Sequence, residues 1–155
     1  MSPKFRLTEE AIEILVASNI DPEVYGATQT QEGGIPLFNA GAETTVLGRT
    51  KFVAFEEKNV GFKTGIKIAL SPGDLAMVVP VPGILQTSLT APVLTFGPNY
   101  TGEILISLSN MGEKDVVFKK GNPLPVQLIF ISGVQKPELV SDLEYLKTSS
   151  NLNTD

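Results

Sequence analysis

The chain has 155 residues, a formal net charge of -5 and a sequence pI of about 4.8, and it contains neither histidine nor cysteine. These two absences exclude Ser-His-Asp and Cys-His catalysis, disulfides and thiolate zinc sites. The acidic balance argues against nucleic acid as a partner, since binding along a phosphate backbone needs clustered lysine and arginine. We also expect no cofactor and no metal site, because no loop has the ligand spacing of a calcium site.

The chain begins with a charged segment and a short predicted helix. Met1–Glu10 lacks the apolar run of a signal peptide. Thr8 has the character of a helix N-cap, and two glutamates follow it in the first turn, where the helix dipole favours negative charge. Apolar side chains then recur at helical spacing, at Ala11, Ile12, Leu15 and Val16. We interpret this as a helix packed on the core or on a neighbouring subunit, and the alternative is docking of a partner.

The middle of the chain predicts short strands separated by turns. It holds most of the 14 glycines and 11 prolines, with β-branched runs between them, which favours an all-β barrel, sandwich or jelly roll. Asn110–Glu113 predicts a hairpin turn. The strands are expected at Ile35–Phe38, Thr44–Leu47, Thr50–Phe55, Val60–Leu70, Leu75–Val79, Val93–Phe96, Glu103–Ser109, Asp115–Lys119 and Leu124–Ile131.

The C-terminal segment predicts a second short helix at Pro137–Lys147, with Ser141 and Glu144 at the spacing of a capping box. Polar residues 148–155 are expected to be a mobile tail. The whole then reads as one domain with an N-terminal helical extension (1–26), a β domain (27–136) and a C-terminal helix with its tail (137–155). No segment approaches the ~20 apolar residues that cross a bilayer. We therefore expect no membrane partner and a protein made in the cytoplasm.

Two stretches, Gly97–Ile104 and Gly121–Phe130, resemble the third and fourth motifs of the trimeric dUTPase / dCTP deaminase superfamily. In that family a tyrosine precedes a Gly-Glu-Ile strand, and a later glycine turn leads into a Gln-Leu-Val-Phe strand. The resemblance implies a dUTPase-like β-clip fold, a distorted jelly-roll barrel, and a homotrimer. The matching residues are Tyr100, Gly102, Glu103, Ile104, Gly121, Gln127, Leu128 and Phe130.

Positions that carry chemistry in that family hold other residue types here. The aspartate of the first motif falls on Pro36, and the arginine and serine of the second fall on Val81 and Pro82. Neither of these offers a guanidinium or a hydroxyl to phosphate. The catalytic aspartate of the third motif falls on Gly97, and no glycine follows Gly133 to form the glycine-rich C-terminal arm. The resemblance therefore implies a scaffold whose catalytic motifs are degenerate.

The candidates for a residual nucleotide pocket are Tyr100, Gly102 and Gln127. Each also has a structural interpretation: the tyrosine as an anchor at a corner, the glycine for backbone geometry and the glutamine through a backbone hydrogen bond. Apolar positions that would gain from an interface are the candidate partner contacts. They are Ile12, Leu15, Val16, Ile84, Leu85 and Leu89.

Two functions fit this sequence. The first is a non-enzymatic structural or interaction protein that self-associates as a homotrimer and attaches to a capsid or another protein lattice. The β-clip also occurs in bacteriophage head-decoration proteins, which extends the expected location to the virion. In this reading, a chain without Met1–Asn19 stays folded and loses attachment. The alternative is a divergent dUTP-binding protein or dUTP pyrophosphatase, favoured by Tyr100 and Gln127.

Overall fold

The computed structural model describes residues 3–25, 33–49, 60–135 and 137–152, most of which lie in strands or the turns between them. The strands are β1 Lys4–Leu7, β2 Ile35–Phe38, β3 Thr44–Val46, β4 Val60–Ala69, β5 Leu75–Pro80, β6 Leu89–Thr90, β7 Leu94–Phe96, β8 Glu103–Asn110, β9 Val116–Phe118 and β10 Pro123–Ile131. The helices are α1 Glu9–Ala17, α2 Pro22–Tyr25 and α3 Asp142–Leu152, with a 3-10 helix at Pro82–Gln86. The predicted strand Thr50–Phe55 lies outside the described residues.

These strands form three antiparallel sheets. One four-stranded sheet has the order β1-β4-β8-β6, a second has the order β2-β10-β5-β7, and β3 pairs with β9. No helix in the described ranges is long and apolar enough to cross a membrane. The all-β prediction is confirmed.

The core lies where the apolar faces of the two four-stranded sheets meet. Along β8, Ile104, Ile106 and Leu108 are buried and alternate with more accessible neighbours, as a period of two requires. They belong to the same buried cluster as Val78 of β5 and Leu128 of β10. One shared core therefore holds both sheets.

Helix α1 packs on β4 at an irregularity of that strand, where its pairing register with β8 shifts. Gly65 lies there with a φ of +71°, and a Cβ on it would come within 2.5 Å of the Ala11 Cβ. The Thr8 amide donates to the Gly65 carbonyl at 2.8 Å, and the Ala11 amide donates to the Thr8 hydroxyl at 3.3 Å. The predicted N-cap is confirmed. The start of α1 is fixed to the sheet through a position that only glycine fits.

Asn110 holds the end of β8 to three other segments. Its Nδ2 donates to the carbonyls of Val46 at 3.3 Å and Lys114 at 2.6 Å. Its Oδ1 accepts from the Gly112 amide at 2.9 Å and the Ser88 hydroxyl at 2.7 Å. The predicted hairpin at this turn is wrong, because β9 pairs with β3 and not with β8.

Other boundaries also differ from the predictions. Strands β1 and β6, helix α2 and the 3-10 helix were not predicted, and each is at most five residues long. Helix α3 starts at Asp142 rather than at residue 137, because the Ser141 hydroxyl accepts the Glu144 amide at 3.3 Å and caps it there. It continues to Leu152, past the expected start of a mobile tail. The division at residues 26 and 136 stays a prediction.

Candidate functional site

Tyr100 lies in the connection between β7 and β8. Its ring meets Phe96 edge-on, with centroids 4.7 Å apart and an angle of 63° between the planes. Its hydroxyl donates to the Glu103 carbonyl at 2.7 Å, and its amide donates to the Gly97 carbonyl at 3.1 Å. Ring, hydroxyl and backbone are all engaged within one short segment. These are the contacts of a side chain that anchors a corner.

Gly102 follows in the same connection with a φ of +110°, and a Cβ built there would have no atom within 4 Å. Its backbone conformation, rather than lack of space, therefore favours glycine. Gly102 and Thr101 form one wall of a cleft of about 330 Å³, whose other wall consists of β1 and β4. Three cationic side chains lie in that lining, those of Lys4, Arg6 and Lys67.

Gln127 lies on β10, the second strand of its sheet, and is 2% exposed. It stands opposite Pro36 of β2 on one side and Val79 of β5 on the other. A Cβ on Gly34 would come within 2.5 Å of its Oε1, so the amide group is packed directly against the backbone there. In the sheet, Phe96 aligns through β5 with Phe130, three residues or about 10 Å along β10 from Gln127. Neither Tyr100 nor Gln127 lies in the lining of the cleft formed by β1, β4, Thr101 and Gly102.

The motif resemblance aligns Pro36, Val81 and Pro82 with the metal and phosphate residues of dUTPases, and in this fold all three positions have structural roles. The Pro36 carbonyl accepts the hydroxyl of the buried Tyr25, and this burial raises the pKa of Tyr25 above its ordinary value. The Val81 amide donates to the Pro125 carbonyl at 3.0 Å, and Pro82 begins the 3-10 helix. No hydroxyl, carboxylate or guanidinium extends from any of these matched positions.

Three carboxylates near the sheets are bound to backbone amides. Glu103 Oε2 accepts from Gly65 at 2.9 Å, Asp74 Oδ2 accepts from Ser71 at 3.0 Å, and Asp115 Oδ1 accepts from Gly48 at 2.7 Å. Each fixes a turn or bulge of the chain. Among the described residues, no three carboxylates are grouped so that they could hold a metal ion.

A row of charge across the first sheet was missed by sequence reasoning. Lys67 of β4 stands directly opposite Arg6 of β1 on one side and Glu103 of β8 on the other. Like charges directly opposite each other in a sheet repel. Arg6 and Lys67 line both the cationic cleft and a second cleft of about 430 Å³. The lining of the second cleft also includes Glu9 and Glu10 of α1. Strand pairing creates this row, and β1 was not predicted.

The candidate partner contacts divide into two groups. Leu15, Ile84 and Leu89 are buried within the protein's own core, at 2%, 7% and 7% exposure, so the expectation that they are accessible to a partner is corrected. Their apolar side chains fill the space between elements of this chain. Three others are accessible to solvent. Ile12 is 40% exposed, Val16 60% and Leu85 87%.

No protein-family model matches the chain, and no curated protein sequence matches it. Solved structures do. A mutant dUTPase from phage phi11 of S. aureus superposes with a TM-score of 0.65 at 15% identity, covering 91% of this chain and 96% of that one. The Staphylococcus bacteriophage 80alpha dUTPase gives a TM-score of 0.65 at 15% identity, with 90% and 95% covered.

The EIAV dUTPase is also similar, with a TM-score of 0.59 at 17% identity over 74% of this chain and 88% of that one. At such identities the likeness concerns the course of the backbone. It agrees with the motif resemblance. The chain has the dUTPase-like fold.

Proposed function

We propose that this protein is a non-enzymatic structural or interaction protein built on the dUTPase-like fold. The observation that carries the proposal is the set of residues at the matched chemical positions: Pro36, Val81, Pro82 and Gly97. A general base must reach the attacking water at about 2.6–3.2 Å, and none of these residues can act as a base. The resemblance would assign Tyr100 to stacking on the nucleotide sugar. Here its ring packs on Phe96 and its hydroxyl donates to the Glu103 carbonyl, both within the same segment.

Self-association as a homotrimer is part of this proposal. Strand β8 lies inside its sheet, yet Leu105 on its outer face is 54% exposed. Lys63 of β4 stands directly opposite Leu105, and the small residues Gly61 and Ser107 form the next pair on the same face. The small pair leaves room for another subunit to approach, and the exposed leucine gains from being covered.

Attachment to a capsid or another protein lattice is the finer role we propose. The similar structures include two phage proteins, which supports a viral setting and the virion as a location. The 80alpha dUTPase controls transfer of virulence genes by a proto-oncogenic G protein-like mechanism, so a protein of this fold can act in regulation. Deleting Met1–Asn19 would remove β1 and the buried Ala11 and Leu15. Point substitutions are therefore the sharper test of attachment.

The decisive experiment combines two measurements on the full chain. One is pyrophosphate release from dUTP with Mg²⁺ at high protein concentration, beside an active dUTPase as the positive control. The other is calorimetric titration with a non-hydrolysable dUTP analogue. We expect neither release above background nor binding heat.

Turnover or binding would favour the alternative, a divergent dUTP-binding protein or pyrophosphatase. Two variants would then show whether the motif residues are responsible. Tyr100→Ala should abolish the signal if the resembling pocket binds the nucleotide, whereas Leu85→Ala, at an exposed position of the 3-10 helix, should leave it unchanged.

A further inference from the structure

Helix α1 is apolar on both its inner and its outer side. Ala11 and Leu15 are buried against the sheet, while Ile12 and Val16, four residues apart on the outer side, are 40% and 60% exposed. A helix on the surface of a globular protein ordinarily turns one apolar stripe to the core and a polar face to water. The outer apolar row gives α1 a second face that a packing partner would cover.

A row of acidic side chains runs beside this apolar row. Glu9 and Glu13 are both exposed and stand four residues apart on the helix, next to Ile12 and Val16. Like charges at this spacing repel. No lysine or arginine occurs from Thr8 to Tyr25. Lys120, which precedes β10, lines one cleft together with Glu13. The two carboxylates outnumber this cation, and stabilisation at the helix N-terminus accounts for Glu9 alone.

The surface extends beyond α1 and keeps the same character. Ile20 and Val24, in the connection and in α2, are 41% and 51% exposed. Asp21 and Glu23 add two further exposed carboxylates between them. We define the α1 surface as Glu9, Ile12, Glu13, Val16, Ile20 and Val24.

This surface has a fixed position on the protein. The Thr8–Gly65 hydrogen bond and the close approach of Gly65 to Ala11 hold the first turn of the helix against β4. A partner would therefore meet a helix that is already ordered, which reduces the entropy lost on binding.

Among the segments that the structure describes, charge does not favour any as the occupant. The α1 surface of a second copy is equally acidic, and the C-terminal segment Glu138–Lys147 carries three carboxylates and one lysine. The cationic cleft formed by Lys4, Arg6 and Lys67 offers charge, but the Ile68 side chain in its lining is buried. It provides positive charge without an exposed apolar row to cover Ile12 and Val16.

We infer that the α1 surface docks a basic amphipathic helix of another protein. Apolar side chains of that helix would cover Ile12 and Val16, and its lysine or arginine side chains would face Glu9 and Glu13. In such helix pairs, apolar side chains spaced three and four residues apart make the main contacts. This inference rests on the proposed function, because it names the chemical class of partner for an interaction protein.

The test uses synthetic peptides as probes. One peptide of about 15 residues carries lysine on one face and leucine on the other, long enough for helix to form on contact. A second has the same composition in scrambled order, and a third has glutamate in place of lysine. Binding to the full chain is followed by fluorescence anisotropy, and its location by amide chemical shifts.

We expect the amphipathic lysine peptide to bind, to shift the amide signals of residues 9–24, and to bind more weakly as salt is raised. Val16→Gln and Glu13→Gln should each weaken binding roughly tenfold, by removing an apolar contact or a charge pair. Val117→Gln on β9 and Glu138→Gln, both at exposed positions, are the matched controls and should bind as the unaltered chain does.

Three results would overturn the inference: equal binding of the scrambled or glutamate peptide, shifts that map away from α1, or unchanged affinity in Val16→Gln. Signals at Ile12 and Val16 that depend on protein concentration without peptide would assign the surface to a second copy instead. If the peptide fails while dUTP is neither bound nor hydrolysed, this inference falls and the proposed function stands. Turnover of dUTP would contradict the proposed function, whatever the peptide does.

Discussion

Tyr25 is a buried tyrosine whose ring and hydroxyl both have partners within the fold. Its ring packs edge-on against Phe38, its side chain is 4% exposed, and its hydroxyl donates to the Pro36 carbonyl. Burial disfavours the charged phenolate and so raises the pKa in the folded protein above the ordinary value near 10. In the unfolded chain the same group titrates near that ordinary value.

Stability should therefore fall at alkaline pH because of this one side chain. A raised folded pKa gives stability that is complete below about pH 10 and is lost above it, by about 1.4 kcal/mol per pH unit while only the unfolded chain is ionised. Tyr25→Phe should remove this loss and cost about 1 kcal/mol at neutral pH through the missing hydrogen bond. Urea midpoints from pH 8 to 11 measure both effects. Tyr145→Phe, at a 64% exposed position, is the control that should keep the slope.

Single residues also show where sequence reasoning succeeds and where it stops. The Thr8 cap was predicted because its partner is three residues away. The roles of Asn39 and Asn110 were not predicted. Both are buried. Asn39 donates to the carbonyl of Phe118, 79 positions away, and Asn110 donates to that of Val46, 64 positions away. A contact between residues so far apart in sequence leaves no local pattern. The hydrogen bonds by which these two side chains connect separate segments are therefore seen only in the structure.

At the scale of elements, the junction between α1 and β4 depends on Gly65. Replacing it with alanine places a Cβ 2.5 Å from the Ala11 Cβ at a φ of +71°. We expect Gly65→Ala to lower the free energy of unfolding by about 3 kcal/mol, from overpacking and backbone strain together. Hydrogen exchange in α1 should rise more than in β10. Chemical denaturation and amide exchange measure these effects.

Gly73→Ala is the matched control for this substitution. Gly73 also has a positive φ, of +88°, but a Cβ there would find its nearest neighbour, the Val134 carbonyl oxygen, at an ordinary 3.6 Å. It should show the strain alone, about 1–2 kcal/mol, with exchange in α1 unchanged. Equal effects at the two positions would contradict the proposed steric role of Gly65.

Strand length decided which elements the sequence could predict. The long strands β4, β8 and β10 have alternating or continuous apolar runs, and all three were predicted within a residue or two. Strand β6 has two residues and β1 has a charged alternation, so neither carries a recognisable pattern. Pairing was a separate question, because the turn at Asn110–Glu113 joins two strands of different sheets. A turn signal predicts reversal of the chain and says nothing about the partner strand.

At the scale of the whole molecule, the motif resemblance predicted the fold, but it did not predict the contacts of single residues. Tyr100 and Gln127 were candidates for a residual nucleotide pocket, each with a structural alternative. The structure places one at a corner and the other within a sheet. Among the partner candidates, Leu15 and Val16 are adjacent in sequence and differ from 2% to 60% in exposure. The orientation of α1 decides which of the two side chains is buried. Because the helix is apolar on both sides, its sequence does not predict that orientation.

The homotrimer we propose can be tested at Leu105. Light scattering on the unaltered chain should give three times the protomer mass of 16.6 kDa. Leu105→Lys should give folded monomers, because it places a second cation directly opposite Lys63 in a closed interface. Val117→Lys, at a 48% exposed position on β9, should remain trimeric. A monomeric unaltered chain, or a trimeric Leu105→Lys variant, would contradict this part of the proposal.

The bond between Gly65 and Glu103 has a consequence for how strongly this protein could hold a repetitive partner. Glu103 lies on the outer face of β8, which we propose to be the trimer face, and its carboxylate binds the amide of the glycine on which α1 rests. Helix and sheet therefore keep one relative orientation, and a trimer would display three α1 surfaces at constant separations. On a lattice whose spacing matches, the second and third contacts form at high effective concentration. Weak single contacts would then give durable attachment, and a lattice of another spacing would be rejected without any change in the contacts themselves.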